Sequence, residues 1–172
     1  SFLVSVALNA AIVHDLSRQH AKLNALQQQF FATITQKLSH FQGILAFSSY
    51  NLSHQPQPIL LKNLVTSTPE FISALLTNAD GEVLDYYKAF IDQDIRGDSV
   101  AHRAYFQQPR QTGLPYISDV FQGKRLGNDW LFAVSNTYTK GGQFAGVIEA
   151  SVLLTRLTEQ FKTLTLPRGC HV

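Results

Sequence analysis

The chain has 172 residues, 45% of them hydrophobic and 15% charged, with a formal net charge of +2. That is enough apolar material for one ordinary domain with a proper core, and too little charge for a disordered segment. Basic residues stand singly, which argues against the clustered cationic face of a nucleic-acid-binding protein, and the single Cys170 excludes an internal disulfide.

The first stretch, SFLVSVALNAAIV (1–13), is apolar at ten of its thirteen positions and carries no charge. It is shorter than the roughly 20 residues a bilayer requires. The following HDLSRQHAK turns polar with no loop signal, as a helix does on leaving lipid. We therefore expect residues 1–13 to be the residual end of a transmembrane helix that attaches the protein to a membrane; a buried helix start and a signal-peptide core are the alternatives.

From Asp15 to Phe47 only Gly43 interrupts the pattern, and Leu23, Leu26, Phe30, Ile34, Leu38, Phe41 and Leu45 step by three or four. That spacing predicts an amphipathic helix over 14–48. Leu23, Ile34 and Leu45 recur at elevens, a repeat that imposes no left-handed supercoil. A helix docking one stripe on a sheet is the expected arrangement, and its membrane-proximal part is the expected surface of a homodimer.

SHQPQP (53–58) reads as a loop and ILLKNLV as a short helix. FISALLTNADGEVLDYYK (71–88) is two strands about a turn, since Asn, Asp and Gly tolerate positive φ. In DIRGDSVAHRAYFQQP, Asp98 or Ser99 is the expected helix cap and Pro109 the expected stop. Three further strands follow at 115–124, 130–140 and 143–154, the last two joined by KGGQ, and TRLTEQFKTL closes as a helix. LPRGCHV (166–172) reads as the start of a following domain. Short turns between consecutive strands give an antiparallel sheet, so the fold expected is α+β.

Catalytic chemistry is poorly supported. Ser135, His102 and Asp119 are triad residue types, yet no serine sits in a G-x-S-x-G elbow. The six histidines show no metal-ligand spacing. We expect no enzyme activity in this chain, no metal and no cofactor. Binding is better supported. Arg103 offers a planar fork for a carboxylate, with Tyr105 and Phe106 as an aromatic wall; pairing of Arg103 with Asp98 or Asp119 is the structural alternative. On the last strand, alternation puts Ala145, Val147, Glu149, Ser151 and Leu153 on one face. A buried Glu149 there needs a partner, a ligand or water.

With these pieces in place, the chain resembles a Cache domain, the PAS-like extracytoplasmic sensor module of bacterial receptors. The resemblance rests on the long emergent helix, LLTNADGEVLDYY, GDSVAHRAYFQQPRQTGLPYISDVFQG and WLFAVSNTYTKGGQFAGVIEASVLLTRL. It is similar above all to the membrane-distal half of double Cache sensors. It implies a long helix on a five-stranded antiparallel PAS-like sheet, a sensor domain over 49–165 and a membrane-proximal domain opening at 166–172. It further implies a site over 98–121, where Arg103, Tyr105 and Tyr116 occupy the places that grip a ligand carboxylate. Phe106, Ser118, Asp119, Ser135, Glu149 and Ser151 complete the expected ligand-binding set. Ser151 stands where the amino-acid-binding subgroup has an aspartate, and Ala101 where it has an aromatic; Glu149 is a candidate replacement for the aspartate. The function implied is periplasmic sensing of a small carboxylate-bearing molecule by an inner-membrane receptor of diguanylate cyclase or histidine kinase type. A chemoreceptor sensor domain, or a structural dimerisation module with a vestigial pocket, is the alternative.

Overall fold

The structure is a computed structural model that describes residues 2–54, 61–89, 94–123 and 129–159, with side chains from Asn9 onward. Pro56 and Pro58 of the expected loop, the end of the closing helix, and 166–172 with Cys170 lie outside the described residues. The chain divides into two compact units, Ser1–Leu38 with Leu164–Val172, and Ser39–Thr163.

Helix α1 runs from Phe2 to His54. Within the first unit, Leu16, Leu23 and Phe31 are exposed, and Phe30 meets Phe31 edge to face at 6.1 Å. No helix among the described residues is long and apolar enough to cross a membrane. Within the second unit the stripe turns inward: Phe41 and Leu45 are fully buried, and the Phe41 ring lies 5.2 Å from that of Phe71. The expected docking stripe is thus fully buried only at its C-terminal end.

Helix α2 (Leu61–Ser67) buries Leu61, Leu64 and Val65. It leads into strands β1 (Phe71–Thr77) and β2 (Val83–Lys88). The turn between them closes as its residue types predict, with Asn78 Oδ1 accepting from the amides of Asp80 and Glu82. Helix α3 (Ala104–Thr112) departs from expectation at both ends. Neither Asp98 nor Ser99 caps it. Those residues belong to a turn pinned to the hairpin, where Val83 N–H donates to Asp98 O and Val100 N–H to Gly81 O, and Arg103 takes the cap position. Pro109 does not stop the helix; it sits inside it, buried, and the end comes at Gly113 with φ +69°. The left-handed conformation suits a residue without Cβ, and the Gly113 N–H donates to Pro109 O.

The expected third strand breaks into β3 (Tyr116–Ile117) and β4 (Phe121–Gln122), both paired with β5 (Trp130–Lys140). The break lies at Ser118, whose hydroxyl accepts the Ala133 amide and donates to Asp119 O. The side-chain oxygen there stands in for a ladder carbonyl, while the Ser118 N–H still donates to Ala133 O. Strand β6 (Gln143–Leu153) follows the KGGQ hairpin, and helix α4 spans Leu154–Glu159. The sheet is antiparallel and six-stranded, in the order β2-β1-β6-β5-β3 with β4 beside β5. The fold is α+β, as expected.

Beta-bulge geometry near Gly146 ties the hairpin to β1. Tyr138 pairs with Gly146 and Thr139 with Phe144, so Ala145 is the extra residue and alternation on β6 holds from Val147 onward. A Cβ on Gly146, at φ +150°, would fall on the Thr77 carbonyl. That carbonyl accepts the Tyr138 hydroxyl at 2.7 Å, and Thr77 Oγ1 accepts the Val147 amide at 3.0 Å.

Candidate functional site

Register divides the sheet into two chemically different faces. Ala74, Ala150 and Val134 lie abreast on one, with Phe132 and Val152 beside them. This face is apolar and is the one that Phe71 and α1 cover. On the other, Leu75, Glu149, Ser135 and Tyr116 form one row across β1, β6, β5 and β3. Ser73, Ser151 and Ala133 form the next. Tyr86 and Lys88 of β2 extend these rows, opposite Leu75 and Ser73.

Glu149 is the centre of the polar face. It is 2% exposed, and Ser151 donates its hydroxyl to Oε1 at 2.7 Å. No cation lies within ion-pair distance of it among the described residues, and Oε2 has no hydrogen-bond partner there. Burial pushes its carboxyl up to about 8; the Ser151 bond and the charge of Lys88 oppose this and are outweighed. Ser135, abreast of Glu149 on β5, is fully buried, and its hydroxyl has no hydrogen-bond partner. A buried hydroxyl left unmatched costs about 1–3 kcal/mol, so this pair of groups is expensive unless something binds it.

Helix α3 and the turn before it cover this face. Ile95 and Val100 join Leu75 and Val83 in a buried cluster against which Tyr86 and Tyr105 pack. Tyr105 is half-buried and close enough to Glu149 to feel its charge; desolvation first, then that charge, hold its phenol well above the usual range. Arg103 opposes the shift from the helix cap.

The remaining expected residues separate by role. Arg103 is exposed, with extended backbone (φ −82°, ψ 141°), and it pairs with neither Asp98, Asp119 nor Glu149. Phe106 is buried at 1% exposure and meets Phe144 edge to face at 6.1 Å, with the Arg110 guanidinium 5.8 Å from each ring. Phe106 is therefore a packing residue that seats α3 on the sheet. Tyr116 is half-buried beside Ser135, Ser118 completes the sheet edge, and Asp119 is exposed. The structure thus gathers Tyr105, Tyr116, Ser135, Glu149 and Ser151, with Arg103 at the rim. Two residues the sequence does not single out, Tyr86 and Lys88, share the face; the pairing of β1 with β2 is what puts them there. Two open grooves lie elsewhere, one of about 670 Å³ beside Arg156 and Glu70, the other of about 740 Å³ between α1 and α2 near Phe47. Neither contains Glu149. Among the described residues no group of His, Cys, Asp and Glu side chains is arranged to hold a metal.

An antiparallel sheet with one helix-packed apolar face and one polar face under a short helix is a fold similar to that of Cache-type sensor domains. The likeness to solved structures is one of fold. The ligand-binding domain of the Campylobacter jejuni chemoreceptor Tlp3, in complex with L-norvaline, superposes with a TM-score of 0.65 at 16% identity, over 86% of this chain and 62% of that one. The same domain in complex with 4-methylisoleucine gives 0.64 at 16% identity, over 84% and 60%. The ligand-binding domain of the Pseudomonas fluorescens chemoreceptor CtaA, in complex with L-valine, gives 0.60 at 17%, over 76% and 59%. The chain therefore spans about three-fifths of the length of these domains. No protein-family profile matches the sequence, and no curated protein matches it.

Proposed function

We propose that this chain is the extracytoplasmic ligand-sensing domain of a bacterial transmembrane receptor, and that it binds a small molecule without transforming it. The observation that carries this reading is the buried, incompletely partnered set of Glu149, Ser135 and Ser151 on the sheet face beneath α3. Polar groups at that depth need partners, and in this fold the similar chemoreceptor domains hold amino acids. Arg103 at the rim and Tyr105 and Tyr116 in the wall supply a carboxylate contact when a ligand enters.

Chemoreceptor output is the reading the neighbours favour over the cyclase or kinase type. The domain faces the periplasm in this proposal, residues 1–13 continue a membrane anchor, and the exposed stripe of α1 serves a homodimer. Within the second unit the sheet is tied directly to α1: the Thr139 N–H donates to Ser53 Oγ at 2.9 Å, and Ser53 donates to Ser49 O. A ligand that shifts β5 and β6 moves that helix end with them. It biases the receptor only by its differential affinity for the two states.

One observation favours the second reading, a dimerisation module with a vestigial pocket: Arg103 is exposed and pairs with none of Asp98, Asp119 and Glu149. Thermal-shift screening of small carboxylates and amino acids decides between them, since a ligand that prefers the fold raises Tm by mass action. A hit whose affinity falls at least tenfold in Arg103→Ala supports the sensor with its anchor. A hit with undiminished affinity removes Arg103 from the site, and a panel without a hit favours the module.

A further inference from the structure

We infer that the ligand of this site is a small organic acid lacking an ammonium group, received by the carboxyl of Glu149 and the hydroxyl of Ser135 acting as hydrogen-bond donors. The inference rests on the sensor reading above and narrows its ligand class.

Among the described residues, the groups on this side of the sheet come from five elements. Strand β2 contributes Tyr86 and Lys88, β1 Ser73 and Leu75, β5 Ser135, β3 Tyr116, and α3 Tyr105 with Arg103 at its cap. Among these described residues the cations are Lys88 and, at the helix cap, Arg103, and the one acid is Glu149. A carboxylate buried at 2% exposure with a single hydroxyl donating to it and no cation in contact is poorly stabilised as an anion. Its shift to about 8 accords with that geometry, so the proton stays on at neutral pH. Because Ser151 donates to Oε1, the proton belongs on Oε2, which has no acceptor among the described residues.

The site therefore presents two proton donors, Glu149 and the unpartnered Ser135 hydroxyl. An acceptor-rich anion satisfies both donors. An ammonium group brings further donors and positive charge, and requires Glu149 to release its proton first. The carboxyl thus selects against the amine that the similar domains' amino-acid ligands carry.

Isothermal titration of the 172-residue chain with 2-hydroxyisovalerate and with L-valine, between pH 6 and 9, tests this. The two ligands differ only in hydroxyl against ammonium. The hydroxy acid is expected to bind at least tenfold more tightly than valine at pH 6. Its affinity should fall by up to tenfold per pH unit above about 8, as Glu149 ionises. Glu149→Gln, which keeps a donor and cannot ionise, should lose the pH dependence of the hydroxy acid's affinity. Repeating the wild-type titration in buffers of different ionisation enthalpy gives a readout independent of that variant, with no proton released on binding the hydroxy acid. Tighter binding of valine with release of one proton overturns the ligand class and leaves the sensor reading standing. Failure of both ligands at every pH overturns the two together.

Discussion

The two faces of the sheet are made by the same strands and differ in every physical respect that matters. On β6, Ile148, Ala150 and Val152 point toward α1 and are fully buried, while Glu149 and Ser151 point toward α3 and are almost as buried. The first set is stabilised by leaving water. The second is buried without full hydrogen bonding, at a cost the apolar face offsets. Equal burial thus has opposite energetic meaning on the two sides, and the costly side is where a ligand has something to contribute.

The comparison breaks most visibly on the apolar side. Phe41→Ala should leave a cavity against Phe71 and cost about 3–5 kcal/mol, read as a fall in the denaturation midpoint. A loss below about 1 kcal/mol would show that α1 is not part of this core.

Next in size is the response of the polar face to pH. Glu149 holds its proton up to about 8 when folded and loses it near 4.5 when unfolded. Its contribution to stability is therefore full below 4.5 and declines by about 1.4 kcal/mol for each pH unit climbed toward 8. Thermal melts of wild type minus those of Glu149→Gln should show this slope, and parallel melts would mean the carboxyl is solvated.

Ser135→Ala sharpens the contrast further. Removing a hydroxyl with no partner should be neutral or raise stability by about 1 kcal/mol, while weakening ligand binding. A clear destabilisation would mean the hydroxyl already serves the fold. The smallest effect belongs to the rim: Arg103→Ala should change stability by less than about 0.5 kcal/mol, because its side chain is exposed and unpaired. Its loss should register in ligand affinity alone.

Much of the architecture was legible in local pattern. Period-two runs located β1, β2, β5 and β6, and the NADGE and KGGQ turns were readable because positive φ restricts residue choice. The ends of α3 were not. Ser99 and Asp98 are good cap types, yet their backbone is already committed to Val83 and the hairpin, and Pro109 is carried inside the helix. Ser118 gave no sign that its hydroxyl would interrupt a strand. Glu149 stood out by type among aliphatic neighbours, whereas the unmatched state of Ser135 was invisible, since a serine in a strand is ordinarily satisfied or wet.

The sequence by itself determined the class of fold, the order of elements and the candidate carboxyl, because hydrophobic period and turn chemistry act over a few residues. Only the tertiary structure decided that Arg103 is exposed and Phe106 buried. It also decided that Lys88, Tyr86 and Tyr116 join Glu149 on one face. Those facts depend on register between strands far apart in the chain, which no local pattern encodes.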